Sequence, residues 1–255
     1  MVTQPRALTI VAVFGFLVLV MTPAGAYEVA AVQDGGTVTG TVRLVGALPK
    51  LDPFAVTKSR DACGEREASE ALVLSAGQRV KDAVVLIQGV ARGRKGVGDV
   101  VLDTGRCVFV SHVTAVGPTD RVSIRNSDSI LHNPHGVRGA STVFNVALPG
   151  RGQVIEVTKY LKSPGVIRVR CDAHPHMSAW LVVHDSPYVA VTDAAGTFSI
   201  GDVPPGTYTI TMWHAGFRPR GTDRDGLPTY DEPRTVTRTI TVAPKATATV
   251  DFELK

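Results

Sequence analysis

The sequence predicts an all-β protein built from two sandwich units, and three observations carry that prediction. Helical periodicity is hard to find beyond residue 27, short alternating runs rich in Val, Ile and Thr recur, and clusters of Gly, Pro and Asp punctuate them. With 255 residues, 44% hydrophobic and 20% charged, the chain has the length for one large or two modest domains with a buried core.

Residues 1–26 stand apart. Arg6 is their only charge, a largely apolar run extends from Ala7 to Met21, and Ala24-Gly25-Ala26 offers a small-residue cleavage site, so the segment reads as a signal peptide. The run of about fifteen residues falls short of the ~20 that span a bilayer comfortably; a retained anchor is the weaker alternative. A periplasmic or secreted protein with no stable membrane insertion after cleavage is therefore expected. Removal of 1–26 leaves 26 basic and 23 acidic residues, a formal charge of +3. The basic residues are dispersed, without the stripe that a phosphate backbone requires, which argues against a nucleic-acid partner.

Strands are expected at Gly36–Leu44, Ala83–Ile87, Val108–His112, Arg121–Arg125, Gly165–Cys171 and Ala179–His184. In Gly165–Cys171 the residues Ile167, Val169 and Cys171 share one face, and Val166, Arg168 and Arg170 the other, so Cys171 should point inward. A second unit is expected to start near Asp185. There Val191–Ile200 reads as strand, turn and strand; Pro204-Pro205-Gly206 then leads into Thr207–Trp213, and Arg234–Val242 and Ala246–Leu254 complete it. This unit, 185–255, resembles the carboxypeptidase regulatory-like, or transthyretin-like, sandwich, above all in the Asp193-x-x-Gly196-x-Phe198 turn and the Pro204-Pro205-Gly206-x-Tyr208 hairpin.

Export places the three cysteines in an oxidising compartment. Cys63 and Cys107 are expected to pair, other pairings being possible, while Cys171, set in a histidine-rich segment, is better explained as a metal ligand. The segment Cys171-Asp172-Ala173-His174-Pro175-His176-Met177 follows the buried strand, and Leu131-His132-Asn133-Pro134-His135 follows the polar turn Asn126-Ser127-Asp128. A thiolate, two imidazoles and a weak thioether are the donors of a mononuclear copper electron-transfer site. Cys171, His132, His174 and Met177 supply that set. Zinc has no use for the thioether and would recruit a further ligand, for which His135 or His176 is available.

The segment from about Gly117 to His184 is similar to the cupredoxins, the blue-copper sandwiches of amicyanin and plastocyanin type, in its Cys171-x-x-His174-Pro175-x-Met177 loop and the His132-Asn133-x-His135 run upstream. The resemblance implies a Greek-key sandwich holding one copper ion, Cu(I)/Cu(II), with His132, Cys171 and His174 equatorial, Met177 axial, and Asn133 tying the two ligand loops beside the sulfur. It departs at His176, where amicyanin-like loops carry a large apolar residue, and in the length of 27–118. That stretch is expected to be an enlarged N-terminal half of a cupredoxin-like domain spanning 27–184. The alternative is a separate transthyretin-like unit, since Gly36-Thr37-Val38-Thr39-Gly40-Thr41-Val42 also resembles the opening of such modules.

For the remaining candidates the bland reading weighs more. His135 is expected to orient the ligand loop by hydrogen bonding, His176 to face solvent near the metal, and His112, His184 and His214 to be structural. Trp180 and Trp213 read as packing residues and Asp172 as a turn residue. The edge of His174 beside Pro175 and His176 is the expected electron exit toward a redox partner protein. Seven histidines, without a His-Cys-His segment, speak against a multicopper enzyme. An electron carrier rather than a catalyst is thus expected; a copper storage or delivery protein and an adhesion or scaffold module with a non-redox metal site are the alternatives.

Overall fold

The computed structural model describes residues 26–255, so the expected signal segment lies outside the described residues except for Ala26. Among the described residues the fold is all-β, with one helical turn at Arg60–Cys63 and two short 3-10 turns. No helix among the described residues is long and apolar enough to cross a membrane.

The first sandwich is organised around Gly165–Cys171. Its alternation is realised as buried Ile167, Val169 and Cys171 against exposed Arg168 and Arg170. The strand is central in a five-stranded sheet, antiparallel to Ser178–Val183 on one side and to Pro134–Arg138 on the other. Val113–Val116 and Ser141–Asn145 form the edges. The opposing sheet is built on Asp99–Gly105 and Arg121–Asn126, which run parallel, with Val108–Phe109 and Val154–Glu156 outside them. Leu102, Ile124, Ile167, Val169 and Leu181 fill the space between, each worth about 1.5–3 kcal/mol on burial. Cys171 and Met177 belong to the same buried cluster. Both ligand loops therefore grow from a packed core.

The second sandwich departs from the expected division at 184/185. Gly36–Leu44 pairs with Thr197–Val203 and, in parallel, with Thr247–Thr249 and Phe252–Leu254. Val84–Gln88 lies between Val189–Val191 and Gly206–His214, with Arg234–Val242 beyond. Val38, Val42, Val85 and Ile87 consequently share one core with Phe198, Ile210, Ile240 and Phe252. The main strands before residue 94 do not enlarge the first sandwich; Gly36–Leu44 and Val84–Gln88 complete the second, and the first is inserted within it. The physical reason is that Gly36–Leu44 and Val84–Gln88 are apolar on the face that Phe198 and Ile210 need covered, a pairing that strand periodicity alone does not reveal.

The turn at Asp193 shows how the second unit is closed. Oδ1 of Asp193 accepts the N–H groups of Ala195 and Thr197, both at 2.9 Å, and Gly196 takes the left-handed φ of 68° that the turn needs. The two sandwiches meet through Val84 and Trp213 of the second and Val113 and Val182 of the first. Trp180 and Trp213 stack edge to face across this seam with ring centroids 5.5 Å apart.

Candidate metal centre

The strand Gly165–Cys171 ends at a thiol that is 1% exposed. The chain then folds back on itself: the N–H of His174 donates to the carbonyl of Cys171, that of Met177 to His174, and that of Cys171 to Met177. Asn133, at the start of the neighbouring strand, donates its backbone N–H to Sγ of Cys171 at 3.2 Å, and its carbonyl accepts the N–H of Asp172. Its side-chain amide reaches Asn145 and the carbonyl of Val146. Burial pushes the Cys171 thiol pKa up, and the N–H groups of Asn133, His174 and Ala173 work against that shift.

Two imidazoles close on this sulfur. Nδ1 of His132 lies 3.9 Å and Nδ1 of His174 3.8 Å from Sγ, and the two nitrogens are 3.2 Å apart. Among the described residues His132, Cys171 and His174 form the one group of three such donors able to hold an ion, and all are buried. Bonds of about 2.0–2.3 Å in a trigonal arrangement separate such donors by roughly 3.5–3.8 Å. The cluster therefore has the spacing of a metal site.

The outward nitrogens are also engaged. Nε2 of His132 faces Oδ2 of Asp128 at 3.0 Å, and Nε2 of His174 faces Oγ of Ser59 at 3.0 Å. With each Nε2 occupied, both Nδ1 atoms are left facing the sulfur. Burial would push the Asp128 carboxyl up, but the N–H groups of Cys107 and Arg106, together with His132, hold it below its ordinary value. Burial, together with His132 and His176, pushes His174 down to about 4.

These outer groups are joined by a covalent bond. Cys63 and Cys107 form a disulfide. Cys107 donates to the carboxylate that holds His132, while Cys63 ends the helical turn opened by Ser59, which contacts His174. Ser59 itself adopts a left-handed φ of 54°, and its carbonyl accepts the N–H groups of Ala62 and Cys63. Neither Ser59 nor Asp128 was nominated by sequence reasoning. Asp128 carried a signal, a carboxylate four residues before a candidate ligand; Ser59, 115 residues from His174, carried none.

The other nominated residues fall as follows. The Met177 side chain is buried, 2% exposed, in the same cluster as Cys171. His135 lies outside the donor cluster, with Nδ1 at 3.1 Å from Asp172 and Nε2 at 2.8 Å from Thr142. His112, His184 and His214 bond the carbonyls of Ser178, Ile87 and Ala215. Two expectations are corrected. His176 does not face solvent: it is 6% exposed, and burial lowers its pKa. The edge formed by His174, Pro175 and His176 is not an open exit, because His174 is 3% exposed and its outer nitrogen meets Ser59. The cause is the stretch around 54–71, which crosses the loop and is anchored there by the disulfide.

Residues 174–255 match the family described as the carboxypeptidase regulatory-like domain. That stretch carries the C-terminal strands of the second sandwich. Its match begins inside the ligand loop and leaves out Gly36–Leu44 and Val84–Gln88, which complete the same sandwich. No curated protein matches the chain significantly. Among solved structures, a purple cupredoxin from Nitrosopumilus maritimus is 19% identical, covering 34% of this chain and 99% of that one at a TM-score of 0.29. A reduced amicyanin variant is 24% identical over 35% of this chain and 85% of that one, TM-score 0.27. A copper-containing nitrite reductase from Thermus scotoductus is 17% identical over 57% of this chain and 28% of that one, TM-score 0.30. At these scores the chemistry of the centre rests on its own side chains.

Proposed function

We propose that this is an exported mononuclear copper protein that carries electrons. The observation that carries the reading is the buried trio of Cys171 Sγ and the Nδ1 atoms of His132 and His174, converging from two loops with their outer nitrogens already bonded. A thiolate with two imidazoles suits copper; Met177, buried in the same cluster, would complete the set with a soft thioether. Copper held there would supply one-electron chemistry by alternating between Cu(I) and Cu(II).

The chain's own contribution is to keep the donors still. Asp128 and Ser59 hold the two rings, and the N–H of Asn133 shares the charge of the sulfur. Rings fixed in this way need little movement when the charge at the centre changes. With Cys171, His132, His174 and Met177 as its donors the ion would have a full coordination set, which supports carriage over catalysis. An electron leaving by His174 would reach the surface through Ser59 and the strap that bears it, toward a redox partner protein. The disulfide accords with an oxidising, periplasmic or extracellular location.

The test is to load purified mature protein with copper(II) and cycle it with a mild reductant and oxidant. One tightly held ion that survives repeated cycles supports a carrier. Loss of the ion to a chelator on each reduction would instead indicate a delivery protein.

A further inference from the structure

The proposed centre is closed along both imidazole edges, by Asp128 on one side and Ser59 on the other. An ion must nevertheless reach the thiol. On its other flank the ligand loop borders a partly open cavity of about 190 Å³ at the seam of the two sandwiches, lined by Cys171, His176 and Met177 on the loop side. His176 is buried in this wall, and its ring nitrogens make no well-formed hydrogen bond, although the backbone of Cys107 lies close to the ring. A buried imidazole without a well-formed hydrogen bond is uncommon in a folded protein and marks a place that something else can visit.

The charge of the wall says what the visitor is. The lining includes the carboxylates of Glu67, Glu70, Asp172, Asp223 and Asp225 against the guanidinium groups of Arg168, Arg170 and Arg224, an excess that favours a cation. The Glu67 carboxylate makes no hydrogen bond or salt bridge among the described residues, and the residue is only partly exposed. The wall therefore offers a carboxylate, an imidazole, a thioether and a thiol, donors of increasing softness that end with those of the centre.

We infer that this cavity is the entry route for copper and that His176 is a transient ligand that passes the ion to Cys171 and His174. The inference rests on the copper reading and adds to it a path and a residue that takes no part in the final coordination.

The experiment mixes copper(II) ion with metal-free, full-length mature protein in a stopped-flow instrument and follows the quenching of Trp fluorescence. The same samples are then equilibrated for metal content. For His176→Leu the uptake rate is expected to fall tenfold or more while one ion per chain still binds at equilibrium. For Glu67→Lys the rate should fall several-fold, with the difference from wild type shrinking at high salt. Wild-type uptake at an unchanged rate in both variants overturns the entry route and leaves the copper reading intact; no uptake by wild type overturns both. If His176→Leu fails to fold, as far-UV circular dichroism would show, Glu67→Lys decides the matter alone, and an unchanged rate there refutes the route.

Discussion

Ser59 and His174 are 115 residues apart in the chain, yet the serine hydroxyl sits 3.0 Å from the outer nitrogen of the imidazole. The contact covers the ring edge through which an electron would otherwise leave directly, and it exists because the Cys63–Cys107 disulfide pins the helical turn that follows Ser59. Cys107 in turn donates to Asp128, the carboxylate behind His132. One covalent link thus steadies the supports of both rings.

Replacing both Cys63 and Cys107 by Ser should lower stability by about 3 to 4 kcal/mol, the chain-entropy value for a loop of this length. Urea unfolding of the metal-free protein measures it. In the copper-loaded variant, electron exchange with hexacyanoferrate should become faster as the strap loosens from His174; an unchanged exchange rate would mean the strap does not limit access.

Asp128→Asn removes the charge behind His132 while keeping the shape. Groups that orient a ligating imidazole typically account for roughly 10–100-fold in metal affinity, and a loss in that range is expected here. Competition against a chelator of known strength gives the value, and unaltered affinity would show that Asp128 is not holding the ring.

Asp231 supplies a pH prediction. Burial would raise its pKa, but the N–H groups of Arg218 and Phe217 and the guanidinium of Arg234 outweigh this and depress it. A depressed folded-state value means that its contribution is fully present above the unfolded pKa, near 3.9, and is lost as pH falls through the folded value. Asp231→Ala should therefore cost roughly 1.5–3 kcal/mol at neutral pH, the range for hydrogen bonds to a charged group, and the cost should shrink in strong acid. Thermal unfolding across pH checks both the size and the trend.

A fragment comprising 185–255 should not fold alone, although the family match falls almost wholly within it. It lacks Gly36–Leu44, the strand to which Thr197–Val203, Thr247–Thr249 and Phe252–Leu254 all pair, and Val84–Gln88, the neighbour of Gly206–His214. Random-coil circular dichroism and rapid proteolysis are expected for the fragment; a cooperative melt would contradict the nested arrangement.

What was legible in the sequence follows from what is local. Gly36–Leu44, Gly165–Cys171 and Arg234–Val242 occupy the expected residues, because each alternates over most of its length. Val108–His112 shrinks to Val108–Phe109, as the chain turns at once toward Val113. Asp99–Gly105 and Pro134–Arg138 are not legible as strands because their Asp, Gly and Pro residues carry turn signals, which pairing with Arg121–Asn126 and with Gly165–Cys171 overrides. The cluster of His132, Cys171 and His174 could be read since these donors lie in two compact motifs. Ser59 could not, since its role depends on where a disulfide-tethered strap lands; nor could the insertion of one sandwich in the other, since periodicity names the buried face of a strand but not its partner.

The most direct measurement is the visible absorption and paramagnetic-resonance spectrum of the wild-type protein and of Cys171→Ser, each given one equivalent of copper(II). The account predicts an intense thiolate-to-copper absorption and an unusually narrow copper hyperfine splitting in the wild type, with both lost in Cys171→Ser. A colourless wild-type protein, or a copper spectrum that the loss of the Cys171 sulfur leaves unchanged, would contradict it.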